Sequence, residues 1–217
     1  MTIRLAVLVS GRGSNLQALL DAIAAGTLDA QVTGVFSDRA QAPALAKVAP
    51  ALRWSAAPRD FPDRAAFDQA LGDAVAAARP DWIVCAGYMR ILGDAFVQRF
   101  AGRLLNIHPS LLPKYRGLHT HAQAIAAGDA EHGASVHFVV PALDAGAVIA
   151  QARVPVLAGD GPDDLARRLL PREHQLLCAV LRLAAAGRLA ERDESAWLDG
   201  QCLFSPLRLD CQGMLVP

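Results

Sequence analysis

The chain has 217 residues, 53% of them hydrophobic and 19% charged, with a mean hydropathy of +0.25. That composition supplies a sizeable core and excludes a disordered chain. Lysine plus arginine and aspartate plus glutamate each total 21, so the formal net charge is zero and the broad positive field of a non-specific nucleic-acid binder is missing.

In chain order, residues 5–9 (Leu5, Ala6, Val7, Leu8, Val9) predict a strand buried on both faces. A helix follows, capped by Ser14, with Leu16, Leu19, Leu20 and Ile23 on one face and Gly26 at its end. Residues 32–36 predict a second strand, 41–49 a short helix closed by Pro50, and 63–78 a helix capped by Asp63 and stopped before Pro80. Further strands are expected at 82–86 and 104–107. Residues 135–140 and 148–156 read as two strands joined by a turn at Asp144, Ala145 and Gly146, an antiparallel pair at the far edge of the sheet. A long helix follows Pro162 with Leu165, Leu169, Leu176, Leu177 and Val180 as its apolar positions.

This alternation predicts a single α/β domain: a Rossmann-like, mostly parallel twisted sheet with helices on both faces and an antiparallel strand near one edge. Residues 1–190 form the domain, and 191–217, which lack periodicity, are expected as a surface tail packed on it. No apolar run is long enough to span a bilayer, and the short one at the N-terminus leads into Gly11 and Gly13 without a cleavage signal. Cys85, Cys178, Cys202 and Cys211 are scattered without metal-binding spacing, which favours free thiols and a cytoplasmic protein.

Ligands of open α/β sheets bind beyond the carboxyl ends of the strands, and three polar clusters lie there. Gly11, Arg12, Gly13, Ser14 and Asn15 join a strand to a helix, where tight turns and free N–H groups suit a phosphate as well as they suit an ordinary turn. Leu16 stands where a dinucleotide fingerprint requires a third glycine, which weakens a dinucleotide-binding reading. Asn106 and His108, two apart on a strand, point to one face and can together polarise a carbonyl and hold an oxyanion. The loop with Gly87, Tyr88, Met89 and Arg90 adds polar company. His119 and His121 invite a metal reading, but on a helix positions i and i+2 face apart, and no metal is expected. His132 and His137 read as surface and strand histidines. Asp144 is by itself a turn former; brought near His108 it would raise the imidazole pKa and keep the ring protonated.

The run Asn106-Ile107-His108-Pro109-Ser110-Leu111-Leu112-Pro113, with Ser10-Gly11-Arg12-Gly13-Ser14-Asn15 before it and Leu143-Asp144-Ala145-Gly146 after it, resembles the folate-dependent formyltransferase family, in particular the phosphoribosylglycinamide formyltransferases of purine biosynthesis. The resemblance spans about residues 3–190 and returns at 196–200. It implies transfer of the formyl group of 10-formyltetrahydrofolate, a co-substrate, to the glycine amine of glycinamide ribonucleotide, with no metal. It further implies that Gly11, Arg12, Gly13, Ser14 and Asn15 hold the ribonucleotide phosphate and that Glu173 orients the amine. Asn106, protonated His108 and Asp144 would be catalytic. Met89, Arg90, Ile91, Leu92, Asn106, Val140, Pro141, Ala142, Leu143 and Asp144 would hold the pterin, and Arg64 would face the glutamate tail of the folate. The implied partners are these two small molecules, with no nucleic acid and no membrane, in a monomer or homodimer. Hydrolysis of 10-formyltetrahydrofolate is the nearest alternative, since the catalytic residues would serve water equally, and a nucleotide-binding module without formyl chemistry is a more remote one.

Overall fold

The computed structural model describes residues 2–217. Strand β1 (Ile3–Val9) leads through α1 (Ser14–Ala24), β2 (Ala30–Ser37), β3 (Arg53–Ser55) and α2 (Arg64–Ala77) to β4 (Trp82–Cys85). Next come α3 (Asp94–Arg99), β5 (Leu104–His108), α4 (Thr120–Ala126), β6 (Glu131–Phe138), β7 (Val148–Pro155) and α5 (Pro162–Ala185). The chain ends in five short strands: β8 (Leu189–Arg192), β9 (Ser195–Leu198), β10 (Gln201–Cys202), β11 (Leu207–Leu209) and β12 (Leu215–Val216).

Nine strands form one sheet in the order β12-β11-β7-β6-β5-β4-β1-β2-β3. Its half from β5 to β3 is parallel, β6 runs antiparallel to both neighbours, and β10-β9-β8 make a separate small sheet. Strand alternation explains the layering. Leu5, Val7 and Val9 of β1 face one core with Leu16 and Leu19 of α1 and the apolar stripe of α5. Ala6 and Leu8 face the other with Phe67, Leu71 and Val75 of α2 and Phe96 of α3. The chain leaves β1 toward β2 on one side and returns as β4 on the other, so the loops after β1 and β4 splay apart and open a crevice.

The structure corrects several expectations. Gly13, not Ser14, is the N-cap of α1; it has a left-handed φ of 69° and, being glycine, no side chain to cap with. Residues 41–49 form no α-helix but a 3₁₀ turn, Pro43–Lys47, followed by another, Pro50–Leu52; each proline opens a turn because it has no N–H to continue one. The segment after 191 is no irregular tail. It contributes β9 and β10 to the small sheet, and β11 pairs parallel with β7, so β12 and not the β6–β7 pair is the sheet edge. Strands of two to four residues have too few positions to show a period. Helix α5 runs unbroken through Pro171, whose exposed ring clears the packed face.

Candidate active site

Strand β5 continues one residue further than expected, which puts Asn106 and His108 in the same strand and on the same face. Antiparallel pairing with β6 sets Asn106 opposite His137 and His108 opposite Ser135. Beyond the end of β6, residue Asp144 reaches back with a left-handed φ of 46°. Its Oδ1 lies 3.4 Å from Asn106 Nδ2 and 3.6 Å from His137 Nε2; its Oδ2 lies 3.5 Å from His108 Nδ1 and accepts from the Gly117 N–H at 2.9 Å. Four polar side chains from three segments thus meet at one point.

His137 is the functional neighbour that its sequence context did not reveal. The ring is 2% exposed, its Nδ1 is 2.7 Å from the Phe138 carbonyl, and its Nε2 is 3.1 Å from Asn106 Nδ2. With its Nδ1 proton given to that carbonyl, the ring can accept from the Asn106 amide at Nε2, which fixes which way the amide points. Ser135 is a brace: its Oγ donates to Ser110 O and accepts from Leu112 N and Gln151 Nε2, pinning the chain just after His108.

The charge state of His108 departs from expectation. Burial is the strongest influence on the ring and lowers its pKa; the Tyr115 carbonyl, 2.9 Å from Nε2, and the Asp144 carboxylate oppose it without prevailing. Proximity of a carboxylate alone therefore does not raise the pKa of this buried ring. Asp144 itself is held below the usual range: burial pushes upward, but His137, the Gly117 N–H and the His108 charge outweigh it.

These residues line a cleft of about 740 Å³, walled also by Gly87, Met89, Arg90, Ile91 and Leu92 after β4. Val140, Pro141 and Leu143 complete the wall on the Asp144 side, whereas Ala142 lies outside the lining. Met89, Ile91 and Leu143 are 58%, 55% and 47% exposed, so the cleft presents apolar surface that a flat aromatic group would cover. Arg64, the first residue of α2, does not line the cleft; its guanidinium donates to the Ile91 carbonyl at 2.8 Å and so braces this wall.

The N-terminal end of α1 reaches the cleft through Asn15, and Glu173 stands beside it. Asn15 Nδ2 lies 3.4 Å from Glu173 Oε2, while Asn15 Oδ1 is buried without a partner. Burial pushes the Glu173 carboxyl up to about 7, and the Asn15 amide only partly offsets it. Gly11, Arg12, Gly13 and Ser14 lie next to this end but outside the lining. Gly13 could not be another residue: besides its positive φ, a Cβ there would sit 2.5 Å from Ala44 Cβ. The turn leaves the first N–H groups of α1 open at the crevice, as an anion requires.

His119 and His121 both line the cleft but do not act together: His121 Nδ1 is 3.0 Å from Nε2 of His132, which is 1% exposed and so no surface residue. Among the described residues no group of three or more histidine, cysteine, aspartate or glutamate side chains is placed to hold a metal ion, and no helix is long and apolar enough to cross a membrane.

A switch-point cleft that combines an anion-ready helix end, an apolar wall and an Asn–His–Asp cluster defines an enzyme that moves a small carbonyl group between two bound molecules. The comparisons agree. The chain matches the formyl transferase family over residues 3–181. It is 50% identical over 199 residues to phosphoribosylglycinamide formyltransferase of Escherichia coli K12, covering 91% of this chain and 94% of that protein. The solved structure of phosphoribosylglycinamide formyltransferase from Coxiella burnetii superimposes with a TM-score of 0.87 at 43% identity, covering 94% of this chain and 96% of that one. A formyltetrahydrofolate deformylase from Pseudomonas syringae is more distant, at 25% identity and a TM-score of 0.80, and this chain covers 66% of it. The chain belongs to the formyl transferase family.

Proposed function

We propose that the chain transfers the formyl group of 10-formyltetrahydrofolate to the glycine amine of glycinamide ribonucleotide, giving formylglycinamide ribonucleotide and tetrahydrofolate. The observation that carries this reading is the meeting of Asn106, His108 and Asp144 in one cleft that is also lined by an apolar wall and by Asn15 at the start of α1. Its 50% identity to the Escherichia coli formyltransferase over most of both chains favours this acceptor over water.

The ribonucleotide phosphate rests on the loop Gly11, Arg12, Gly13 and Ser14 and on the first N–H groups of α1. Asn15 Oδ1 and the Glu173 carboxylate accept from the donors of the same molecule. The pterin lies against Met89, Arg90, Ile91, Leu92 and Val140 to Leu143. The amine attacks the formyl carbon, and negative charge collects on the formyl oxygen. Asn106 Nδ2 and the protonated Nε2 of His108 take that charge, the oxyanion replacing Tyr115 O as the His108 partner. Asp144 favours the imidazolium as the charge develops, although burial disfavours it beforehand. Collapse expels N10 of the folate, which gains a proton as the amine loses one. The enzyme works as a monomer or homodimer on these two small molecules. Its four free thiols fit the cytoplasm.

Consumption of 10-formyltetrahydrofolate followed with and without glycinamide ribonucleotide tests the reading. Turnover that depends on the ribonucleotide is expected. Equal turnover without it would mean a hydrolase and would overturn the assignment of the acceptor.

A further inference from the structure

Ser10, the residue after β1, carries no role so far, yet its hydroxyl stands where the two walls of the crevice meet. It is 2% exposed. Its Oγ accepts from the Met89 N–H at 2.9 Å and donates to Asp38 Oδ1 at 2.6 Å; its own N–H donates to the Gly87 carbonyl at 3.1 Å. Direction is fixed by chemistry. Met89 N can only donate, so the hydroxyl oxygen must accept there and its proton must go to Asp38. Asp38, 7% exposed and just beyond the end of β2, therefore holds the hydroxyl in one rotamer, and each bond polarises the other.

The loop after β4 is packed through Tyr88 and Leu92, which are buried in the core, and through Arg90 over the Phe67 ring, but its side-chain hydrogen bonds are few. Arg64 Nη2 holds the Ile91 carbonyl at 2.8 Å and Asp68 Oδ2 holds the Gly93 N–H at 3.0 Å, both farther along the loop. Met89 and Ile91 point outward into the cleft and contribute little packing of their own. At its start, beside Met89, the Ser10 hydroxyl is the side-chain hydrogen bond on this segment, and the next residue, Gly11, opens the loop beside the other substrate.

We propose that the Ser10–Asp38 pair is a positioning device that ties the folate wall to the phosphate loop, so that the distance between the two substrates is set by one buried hydroxyl. Neither residue touches the reacting atoms. The idea rests on the substrate assignment above, because it takes the loop after β4 as the folate wall.

The test is steady-state kinetics of Ser10→Ala, Asp38→Ala and Asp38→Asn, with KM measured separately for 10-formyltetrahydrofolate and glycinamide ribonucleotide and with Tm recorded alongside. Ser10→Ala is expected to raise the KM for 10-formyltetrahydrofolate about fivefold, the equivalent of one hydrogen bond, with a smaller rise for the ribonucleotide and a Tm close to that of the parent. Asp38→Ala should do the same. Asp38→Asn, which still accepts from the hydroxyl, should recover most of the lost affinity. A lower Tm with both KM values unchanged would make the pair merely structural and overturn the proposal, as would an Asp38→Asn enzyme as impaired as Asp38→Ala. Activity that did not depend on the ribonucleotide in the parent would instead break the substrate assignment, which separates the two failures.

Discussion

Asn106 and His137 face each other across the antiparallel β5–β6 pair, with the amide nitrogen 3.1 Å from the imidazole Nε2. The ring accepts one amide proton, and the other is directed at Asp144 Oδ1, 3.4 Å away. His137→Phe keeps the ring volume and removes that acceptor. The expected outcome is a kcat lower by about three- to tenfold with little change in either KM, measured by steady-state kinetics. An unchanged kcat would show that the amide is oriented by Asp144 alone.

The two donors of the proposed oxyanion site act on a single atom. Asn106→Ala and His108→Ala should each lower kcat by about 10²–10³, and the double variant should lose far less than the product of the two. Fully multiplicative losses, measured in single-turnover experiments, would indicate that the residues serve separate steps.

How far the sequence reaches is visible in these same residues. Leu5 to Val9, the helix after Gly13 and the strand ending at His108 carry long apolar runs with clear punctuation, and their places in the fold follow from them. Asn106 and His108 share a face because a strand has a period of two, which sequence spacing reveals. His137 does not follow in the same way. Its role depends on the register of β6 against β5, and register is set by packing and by the loop between the strands. The charge of His108 is also hidden from sequence: an aspartate nearby suggests a raised pKa, but burial of the ring wins. β11 and β12 escape notice because so few residues cannot show a pattern, and the sheet edge is misplaced as a result.

The His121–His132 contact predicts a pH-dependent stability. Burial drives the His132 pKa down to about 4, and the neighbouring His121 adds to the shift. The folded protein thus takes up this proton less readily than the unfolded chain, whose histidines titrate near 6.5. Stability present above about 6.5 is lost as pH falls toward 4. The lowered aspartates, among them Asp160 at about 2, act only below that window. Over pH 7 to pH 4 the buried Glu173 carboxyl acts in the opposite direction, so the His132 contribution is read as a difference: the Tm of the parent relative to that of His132→Gln should fall across this range. An unaltered slope in the variant would assign the effect to other groups.

Gly13 carries a prediction about geometry. Its φ of 69° and the 2.5 Å approach that a Cβ would make to Ala44 leave no room for a side chain. Gly13→Ala is expected to destabilise the fold by about 1–3 kcal/mol and to raise the KM for the ribonucleotide more than that for the folate, because the turn beside the helix end must shift. Denaturant unfolding and separate KM measurements check this. Equal effects on both substrates would place the phosphate elsewhere.

Glu173 sets function against stability. Its carboxyl is pushed up to about 7 by burial, against an ordinary value of 4.5. A raised acid favours the fold while protonated, so its contribution is fully present below 4.5 and is lost as pH rises through about 7. Glutamine in the same place cannot ionise. Glu173→Gln should therefore unfold at a higher temperature than the parent at pH 8 and at a nearly equal one near pH 4. The same substitution removes the negative charge and one of the two acceptor oxygens at the proposed amine site beside Asn15, so the KM for glycinamide ribonucleotide should rise while that for 10-formyltetrahydrofolate stays near the parent value. Together these outcomes would mean that the protein keeps a destabilising carboxylate for the sake of its substrate. A Tm that falls at pH 8 would show that the Asn15 contact matters more to the fold than the burial of the charge.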